Sequence, residues 1–516
     1  MRDNGVVNVG PEPLSFAEVV QVARGGAAVR LTEDAVAAIA AARQRVEELA
    51  ESPVPAYGIS TGFGALATRH IDPALRAQLQ RSLVRSHAAG SGPEVETEVV
   101  RALMLLRLHT LATGHTGVRP TTAKALAGLI SAGITPIVHE YGSLGCSGDL
   151  APLAHVALAL MGEGSVRDGS GTVTSASEAL KQAGLEPVEL AAKEGLALIN
   201  GTDGMLGMLI LAIEDLTRLL KTADISAAMS VEALLGTDRV FAPELQALRP
   251  HPGQALAAAN MVKVLDRSGI MASHRDPENC TRVQDAYSLR CAPQVAGAAR
   301  DTVDHAARVA TWELASAVDN PAVLDDGRVE SNGNFHGAPV AYVLDFLAVV
   351  AADVASMSER RTDRFLDKAR NHGLPAFLAD DPGVDSGHMI AQYTQAAIVS
   401  EMKRLAAPAS VDSIPSSAMQ EDHVSMGWGA ARKLRRSVDG LTRVLAVEIL
   451  TAARALDLRA PLAPAPATAA VVSALRETIP GPGTDRYLAP EIESAVRLVA
   501  DGVVVSAVES VTGPLA

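Results

Sequence analysis

Apolar residues recur along most of this chain three or four positions apart, the spacing of one helical face, in long runs dominated by alanine, leucine and valine. Such runs predict helices over Glu33 to Glu51, Pro73 to Ala89 and Val95 to Ala112, then a long one from Met205. From Ala292 to about Ala317 and from His336 to Ala369 the period continues well beyond an average helix. Met389 to Leu405 follows, then a helix starting at Ser416 and running to about Leu456. A last helix is expected after the linkers Pro461 to Pro466 and Gly481 to Gly483. The breaks between runs are rich in Gly, Pro and Ser, as at Ser52-Pro53-Val54-Pro55, Gly90-Ser91-Gly92-Pro93 and Pro408 to Pro415; Gly162 to Gly171 reads as an exposed turn or small hairpin. No internal repeat is seen. The pattern predicts a mostly α protein whose long helices form a bundle, and a division into residues 1–235 and 236–516 is expected.

Composition sharpens this picture. Hydrophobic residues are 48% of the 516, yet aromatics are only 3%, a balance that suits closely packed helices better than sheets. A net charge of −14 excludes a nucleic-acid or anionic-membrane surface, since either needs a basic patch, and leaves a small molecule as the expected partner. Met1 to Pro13 has no apolar signal core, Met205 to Ile213 is too short to span a bilayer, and Val343 to Ala355 is interrupted by Asp345 and Asp353. Cys146, Cys280 and Cys291 are an odd number without Cys-x-x-Cys spacing, which fits a reducing compartment and offers no zinc framework. A soluble cytoplasmic protein with no metal site is expected.

The chemistry is expected at Gly142-Ser143-Leu144-Gly145-Cys146-Ser147-Gly148-Asp149-Leu150-Ala151-Pro152-Leu153, a glycine-rich turn entering an apolar helix. One reading of Ser-Gly before a helix is a cap. The other is that Cys146, Ser147 and Gly148 react with themselves. Attack of the Gly148 nitrogen on the Cys146 carbonyl closes a five-membered ring, glycine offering no β-carbon to obstruct it. Loss of water from the ring and from the Ser147 hydroxyl then leaves an exocyclic methylidene, a strong electrophile.

Other stretches carry polar and aromatic groups where an Ala/Leu/Val chain has little structural need of them. Ala56-Tyr57-Gly58-Ile59-Ser60-Thr61-Gly62-Phe63-Gly64 places three glycines around a Tyr and a Phe, the composition of a lid over a site. His87 ends a predicted helix and reads either as a dipole partner or as a ligand contact. Asn200 beside Gly201 is a turn residue or a polar contact. Arg282 to Gln294 holds Gln284, Tyr287 and Arg290, either a solvated helix start or a carboxylate-binding cluster. Phe335 stands among Asn332, Gly333, Asn334 and His336, and an exposed Phe there is better placed against a ring. Glu421 lies in Ser413 to Met426, where acids serve either the helix dipole or a site.

Taken together these motifs resemble the ammonia-lyases that carry a 4-methylideneimidazol-5-one (MIO) group. That family usually writes Gly-Ser-x-Gly-Ala-Ser-Gly-Asp-Leu-Ala-Pro-Leu, from which this chain departs only at Cys146, and Tyr-Gly-Ile-Asn-Thr-Gly-Phe-Gly, from which it departs at Ser60. Asp203 stands where many relatives have Gln. The likeness runs from about Leu31 to the end and is strongest to actinobacterial histidine-specific members, which also have Cys before Ser-Gly. It implies an ammonia-lyase/fumarase-like fold, a long central helical bundle with a smaller mixed N-terminal region, and a homotetramer whose sites draw on more than one subunit. It also implies elimination of ammonia from L-histidine to trans-urocanate through MIO formed from Cys146-Ser147-Gly148, with no external cofactor. By the same resemblance Tyr57 is the base for the β-proton and Arg290 clamps the substrate carboxylate. His87 and Glu421 hold the imidazole, Phe335 packs near the rings, and Asn200, Gln284 and Tyr287 complete the polar lining. Within the family a tyrosine or phenylalanine ammonia-lyase or an aminomutase shares the electrophile. Outside it stand a hydrolase using Ser147 or Cys146 as nucleophile, though the motif does not fit Gly-x-Ser-x-Gly, and a non-catalytic helical scaffold.

Overall fold

The computed structural model describes residues 5–52, 55–62, 66, 69–276, 280 and 283–516. Phe63, Gly64 and Arg282 of the expected site stretches lie outside the described residues. The chain is dominated by helices, and the longest are Asp203–Ala233, Ala292–Leu314, Ala338–Leu366 and Gly427–Asp457. The chain forms two compact units: residues 1–211, 307–345 and 408–432 make one, and residues 212–306, 346–407 and 433–516 the other. These units interleave along the chain, a different partition from a cut after residue 235.

The first unit is mixed. Val6–Val9 pairs in parallel with Ala28–Leu31 across helix Phe16–Ala23, which starts at a capping box between Ser15 and Glu18. Ser91–Glu94 pairs antiparallel with His139–Tyr141, and Ala322–Val323 with Val329–Glu330. Thr135–Pro136, Ser165–Arg167 and Val173–Ser175 make a three-stranded antiparallel sheet. The hairpin expected between Gly162 and Gly171 is in it, its turn closed by the Asp168 carboxylate accepting from the Ser170 and Thr172 N–H groups. Helix Thr97–Ala112 is buried from Val99 to its end. That is the all-round burial of a core helix rather than a single packed stripe.

The second unit is helical among its described residues, and its core is not purely apolar. Glu448 accepts from Ser230 and from both branches of the Arg361 guanidinium. Asp224 accepts from Arg300 and Asn260, and burial pushes its carboxyl up to about 6 against that pairing. Glu232 accepts from Ser268, Thr468 and the Ala465 N–H. Each buried acid is thus matched by donors, as desolvation requires.

Two boundaries differ from the sequence expectation. The helix expected from Ser416 begins at Gly427, because Ser416 and Glu421 bind each other and Ser417, Ala418, Met419 and Met426 have positive φ. In place of one last helix there are three, Pro466–Arg476, Ala489–Ala500 and Val503–Thr512, separated by the turn before Ala489-Pro490 and by Gly502 at φ 75°. Helix Ala338–Leu366 is long and apolar enough to cross a membrane, yet 61% of its most apolar window is buried inside the structure. Within that helix Asp345, noted as an interruption, accepts from the Ala409 and Ser410 N–H groups.

Candidate active site

The Gly142 to Asp149 turn lies in the first unit, laced to the starts of three helices. Helix Leu150–Leu160 follows it directly. The Asp149 carboxylate does not cap that helix. It accepts instead from the Gly204 and Met205 N–H groups at 2.9 Å, so it caps Asp203–Ala233, and from the Ser143 hydroxyl at 3.0 Å. Burial pushes the Asp149 carboxyl up to about 7 against these donors. On the third side, Met426 N–H donates to the Leu144 carbonyl, and the Ser425 hydroxyl donates to the Gly145 carbonyl while accepting from Gly427 N–H at the start of Gly427–Asp457. Positive helix ends therefore converge on this turn.

Two of its glycines are required. Gly145 has φ 63°, and a β-carbon there would overlap the Ser425 hydroxyl. Gly148 has φ 77°, and a β-carbon would overlap the Gly201 carbonyl, which accepts from Asp149 N–H at 2.7 Å. Between them Cys146 is buried, and burial together with the adjacent Glu421 carboxylate pushes its thiol up to about 12. A thiol at a helix start was open to the opposite effect, and here desolvation wins over the dipole. The Ser147 hydroxyl donates to Glu421 Oε1 at 3.4 Å, and the Ser416 hydroxyl donates to Oε2 at 2.7 Å. Glu421 is therefore a loop residue tied to Ser147, not a first-turn acid.

His87 is the last residue of helix Arg76–His87, and its Nδ1 lies 2.8 Å from the Leu83 carbonyl. A carbonyl only accepts, so Nδ1 carries the proton and Nε2 keeps its lone pair. Burial lowers the proton affinity of this imidazole, and the Glu421 carboxylate opposes that, so His87 and Glu421 share one electrostatic neighbourhood. Both sequence readings of His87 are compatible with this place, at a helix end and facing an acid.

Asn200 is buried, and its Nδ2 donates to the Asn320 carbonyl at 3.0 Å while Oδ1 has no partner. An unpaired buried carbonyl oxygen is costly and calls for a donor. Asp203, whose role the sequence left open, is the counter-ion of Arg107, 2.6 Å away and equally buried. Sequence reasoning passed over Arg107, although an arginine inside Met104-Leu105-Leu106-Arg107-Leu108 was a signal available to it. Phe335 is half-buried in the turn after Asn332, which the Asn320 side chain holds by accepting from Asn332 N–H.

Tyr57 is half-buried in a turn and lines a cleft of about 400 Å³ with Arg45, Pro321, Arg328 and Glu330. The Ser60 hydroxyl accepts from Ala56 N–H, so the departure from Asn at this position closes the turn on itself. Gln284, Tyr287 and Arg290 belong to the second unit, where Gln284 and Tyr287 are exposed. The Arg290 guanidinium sits 4.6 Å from the Tyr287 ring centroid, and its Nε is buried without a partner. Stacking on the ring orients the guanidinium plane and leaves donors for an anion.

The sequence model of the aromatic amino acid lyase family matches residues 14–477. A curated histidine ammonia-lyase of Streptomyces avermitilis is 66% identical over 511 residues, covering 99% of this chain and 99% of that protein. One from Gloeobacter violaceus is 48% identical over 503 residues, 97% of each. Among solved structures, a tyrosine aminomutase from Streptomyces globisporus superposes with TM-score 0.93 at 38% identity, covering 99% of this chain and 100% of that one. The histidine ammonia-lyase of Trypanosoma cruzi gives 0.90 at 36%, covering 98% and 95%.

Proposed function

We propose that this chain, which belongs to the aromatic amino acid lyase family, eliminates ammonia from L-histidine to give trans-urocanate. The observation that carries the reading is the tie between the Ser147 hydroxyl and Glu421 in a turn where Gly145 and Gly148 leave no room for side chains, with His87 in the field of the same carboxylate. The test is direct: purified protein with L-histidine should produce urocanate absorbance, and no absorbance change at any protein concentration rejects the reading.

The residues fit an MIO group formed from Cys146-Ser147-Gly148. Gly148 is free of a β-carbon where ring closure needs approach, and the orphaned Asn200 Oδ1 is a buried acceptor beside Gly201, against which Gly148 packs. When formed, the ring supplies an electrophilic carbon that no ordinary side chain offers. In this reading Asn200 and the Gly201 peptide hold it in place. Arg290 binds the substrate carboxylate through its open donors, with Gln284 and Tyr287 beside it. Tyr57 takes the β-proton at its phenolic oxygen. The substrate imidazole donates its one N–H to the His87 Nε2 lone pair beside Glu421, a contact that a phenyl ring lacks, and Phe335 packs near the ring. A cytoplasmic homotetramer with shared sites belongs to the same proposal; the exposed stripe Tyr342, Phe346 and Val349 on one helix supports self-association.

A hydrolase using this turn is poorly supported. Cys146 holds its proton far above neutral pH, and the partner found for Ser147 is a carboxylate rather than a histidine.

Two outcomes follow for substrate contacts. His87→Leu should lower kcat/KM for histidine by about tenfold to a hundredfold, the cost of leaving one imidazole N–H unpaired, and should favour phenylalanine in relative terms. Because burial keeps His87 neutral, its contribution in the free enzyme should persist down to about pH 6.5, its ordinary value, and be lost only as pH falls further. A pH profile of kcat/KM for both proteins measures this; equal rates on histidine leave His87 a helix-end residue. Arg290→Lys should raise KM about tenfold with a smaller change in kcat, since an ammonium cannot copy a two-point carboxylate contact. Unaltered KM removes Arg290 from the site.

A further inference from the structure

We infer that the buried Arg107–Asp203 pair is a positioning element for closure of the Cys146-Ser147-Gly148 ring, acting through Gly201; the inference rests on the proposed function.

Arg107 is wholly buried in the apolar run of helix Thr97–Ala112. Its guanidinium has five N–H donors, and four of them donate hydrogen bonds. Nε donates to Asp203 Oδ2 at 3.0 Å, and Nη2 lies 2.6 Å from the same oxygen. Nη1 donates to the Ala197 carbonyl at 3.0 Å and to the Asn200 carbonyl at 3.1 Å, and Nη2 reaches the Val318 carbonyl at 3.3 Å. Ala197 and Asn200 belong to the segment that ends at Gly201, so the pair fixes the backbone leading into it. Asp203 is buried as fully; desolvation pushes its carboxyl up while the guanidinium pulls it back. Leaving either charge alone there would cost stability.

The pair also stands directly behind Gly201. A β-carbon on Gly201 would overlap Arg107 Nη2 and lie 2.5 Å from Asp203 Oδ2. A β-carbon on Gly148 would overlap the carbonyl of Gly201. Guanidinium, Gly201 peptide and Gly148 peptide are therefore stacked with no side chain between them, and the Gly201 carbonyl is bound by Asp149 N–H at 2.7 Å. In ring closure a bond forms from Gly148 N to the Cys146 carbonyl carbon. The carbonyl oxygen departs as water with the hydrogens of Gly148 N and Ser147 N, and the second water takes the Ser147 hydroxyl and its Cα hydrogen. Gly148 must hold its approach while the peptide planes distort, and a support that yields by ~1 Å would cost ~10²-fold in rate. A buried ion pair whose guanidinium also holds three backbone carbonyls is a support that does not yield.

The test uses the full chain with Asp203→Asn and Arg107→Lys, followed by intact mass over time, by melting temperature, and by kcat divided by the ring-bearing fraction. Both variants should melt as folded protein, emerge with mostly the undehydrated mass, and lose two waters ~10²-fold more slowly than the parent. Turnover per ring-bearing chain should stay near the parent's, which separates closing the ring from using it. If Asp203→Asn fails to fold, Arg107→Lys, which keeps the positive charge but not the planar fork that holds the carbonyls around Gly201, carries the same readout. Folded variants that dehydrate at the parent's rate overturn the inference, whatever their turnover. A parent that never loses two waters instead rejects the proposed function, so the two failures are distinct.

Discussion

Ser147→Ala is expected to leave a folded protein that retains the Cβ hydrogens of an alanine at position 147, lacks the serine-derived loss of water, and has lost at least ~10³-fold of its turnover, the scale on which removal of a transition-state stabiliser is felt. The structure makes this a clean experiment. Ser147 contributes its hydroxyl to Glu421 through one long contact of 3.4 Å, while the turn around it is held by Ser143, Asp149 and Ser425. Removing the hydroxyl therefore leaves the scaffold in place. Cys146→Ala is the control. Only backbone atoms of residue 146 would enter the proposed ring, and its thiol, pushed up to about 12, is no nucleophile near neutral pH. That variant should show the two-water loss by intact mass and retain most activity. Full turnover in Ser147→Ala, or its complete loss in a dehydrated Cys146→Ala, would falsify the division of roles between the two residues.

The helical character of the chain was legible because long amphipathic runs need only their own periodicity to be seen. Glu33–Glu51 and Met389–Leu405 begin and end where the pattern does. The glycines of the reactive turn were legible for a similar reason: the requirement at Gly145 and Gly148 is local backbone geometry, which sequence records directly. What was not legible depends on partners far along the chain. The Asp149 carboxylate reads as the cap of the helix that follows it, and only the fold brings Gly204 and Met205 to it. Ser416 to Met426 has the polar residues of a helix start, but Ser416, Ser425 and Glu421 bind one another and the reactive turn, so the helix waits for Gly427. Arg107 was hidden by the opposite effect: its neighbours are so apolar that the run reads as core, and its role appears only with Asp203 and the carbonyls around Gly201.

Tyr57→Phe is expected to cut kcat by ~10²–10⁴-fold, the usual loss when a positioned general base is removed, with KM little altered. The substitution deletes one oxygen and keeps the ring that lines the cleft beside Pro321 and Arg328. It also spares what holds the turn, since the Ser60 hydroxyl accepts from Ala56 N–H and the Gly58 N–H donates to the Thr61 hydroxyl. The cleft itself should therefore survive, and melting temperature should barely move. The proposed ring would form from Cys146, Ser147 and Gly148 without Tyr57, so intact mass should show the same two-water loss as in the parent. These controls decide how a slow enzyme is to be read. A variant that is folded and dehydrated yet slow has lost the proton acceptor; one that is slow because it lacks the ring has lost assembly instead. Urocanate formation near the parent rate in a folded, dehydrated Tyr57→Phe would move the β-proton to another base, and Glu421, tied to Ser147, is the carboxylate the geometry would then put forward.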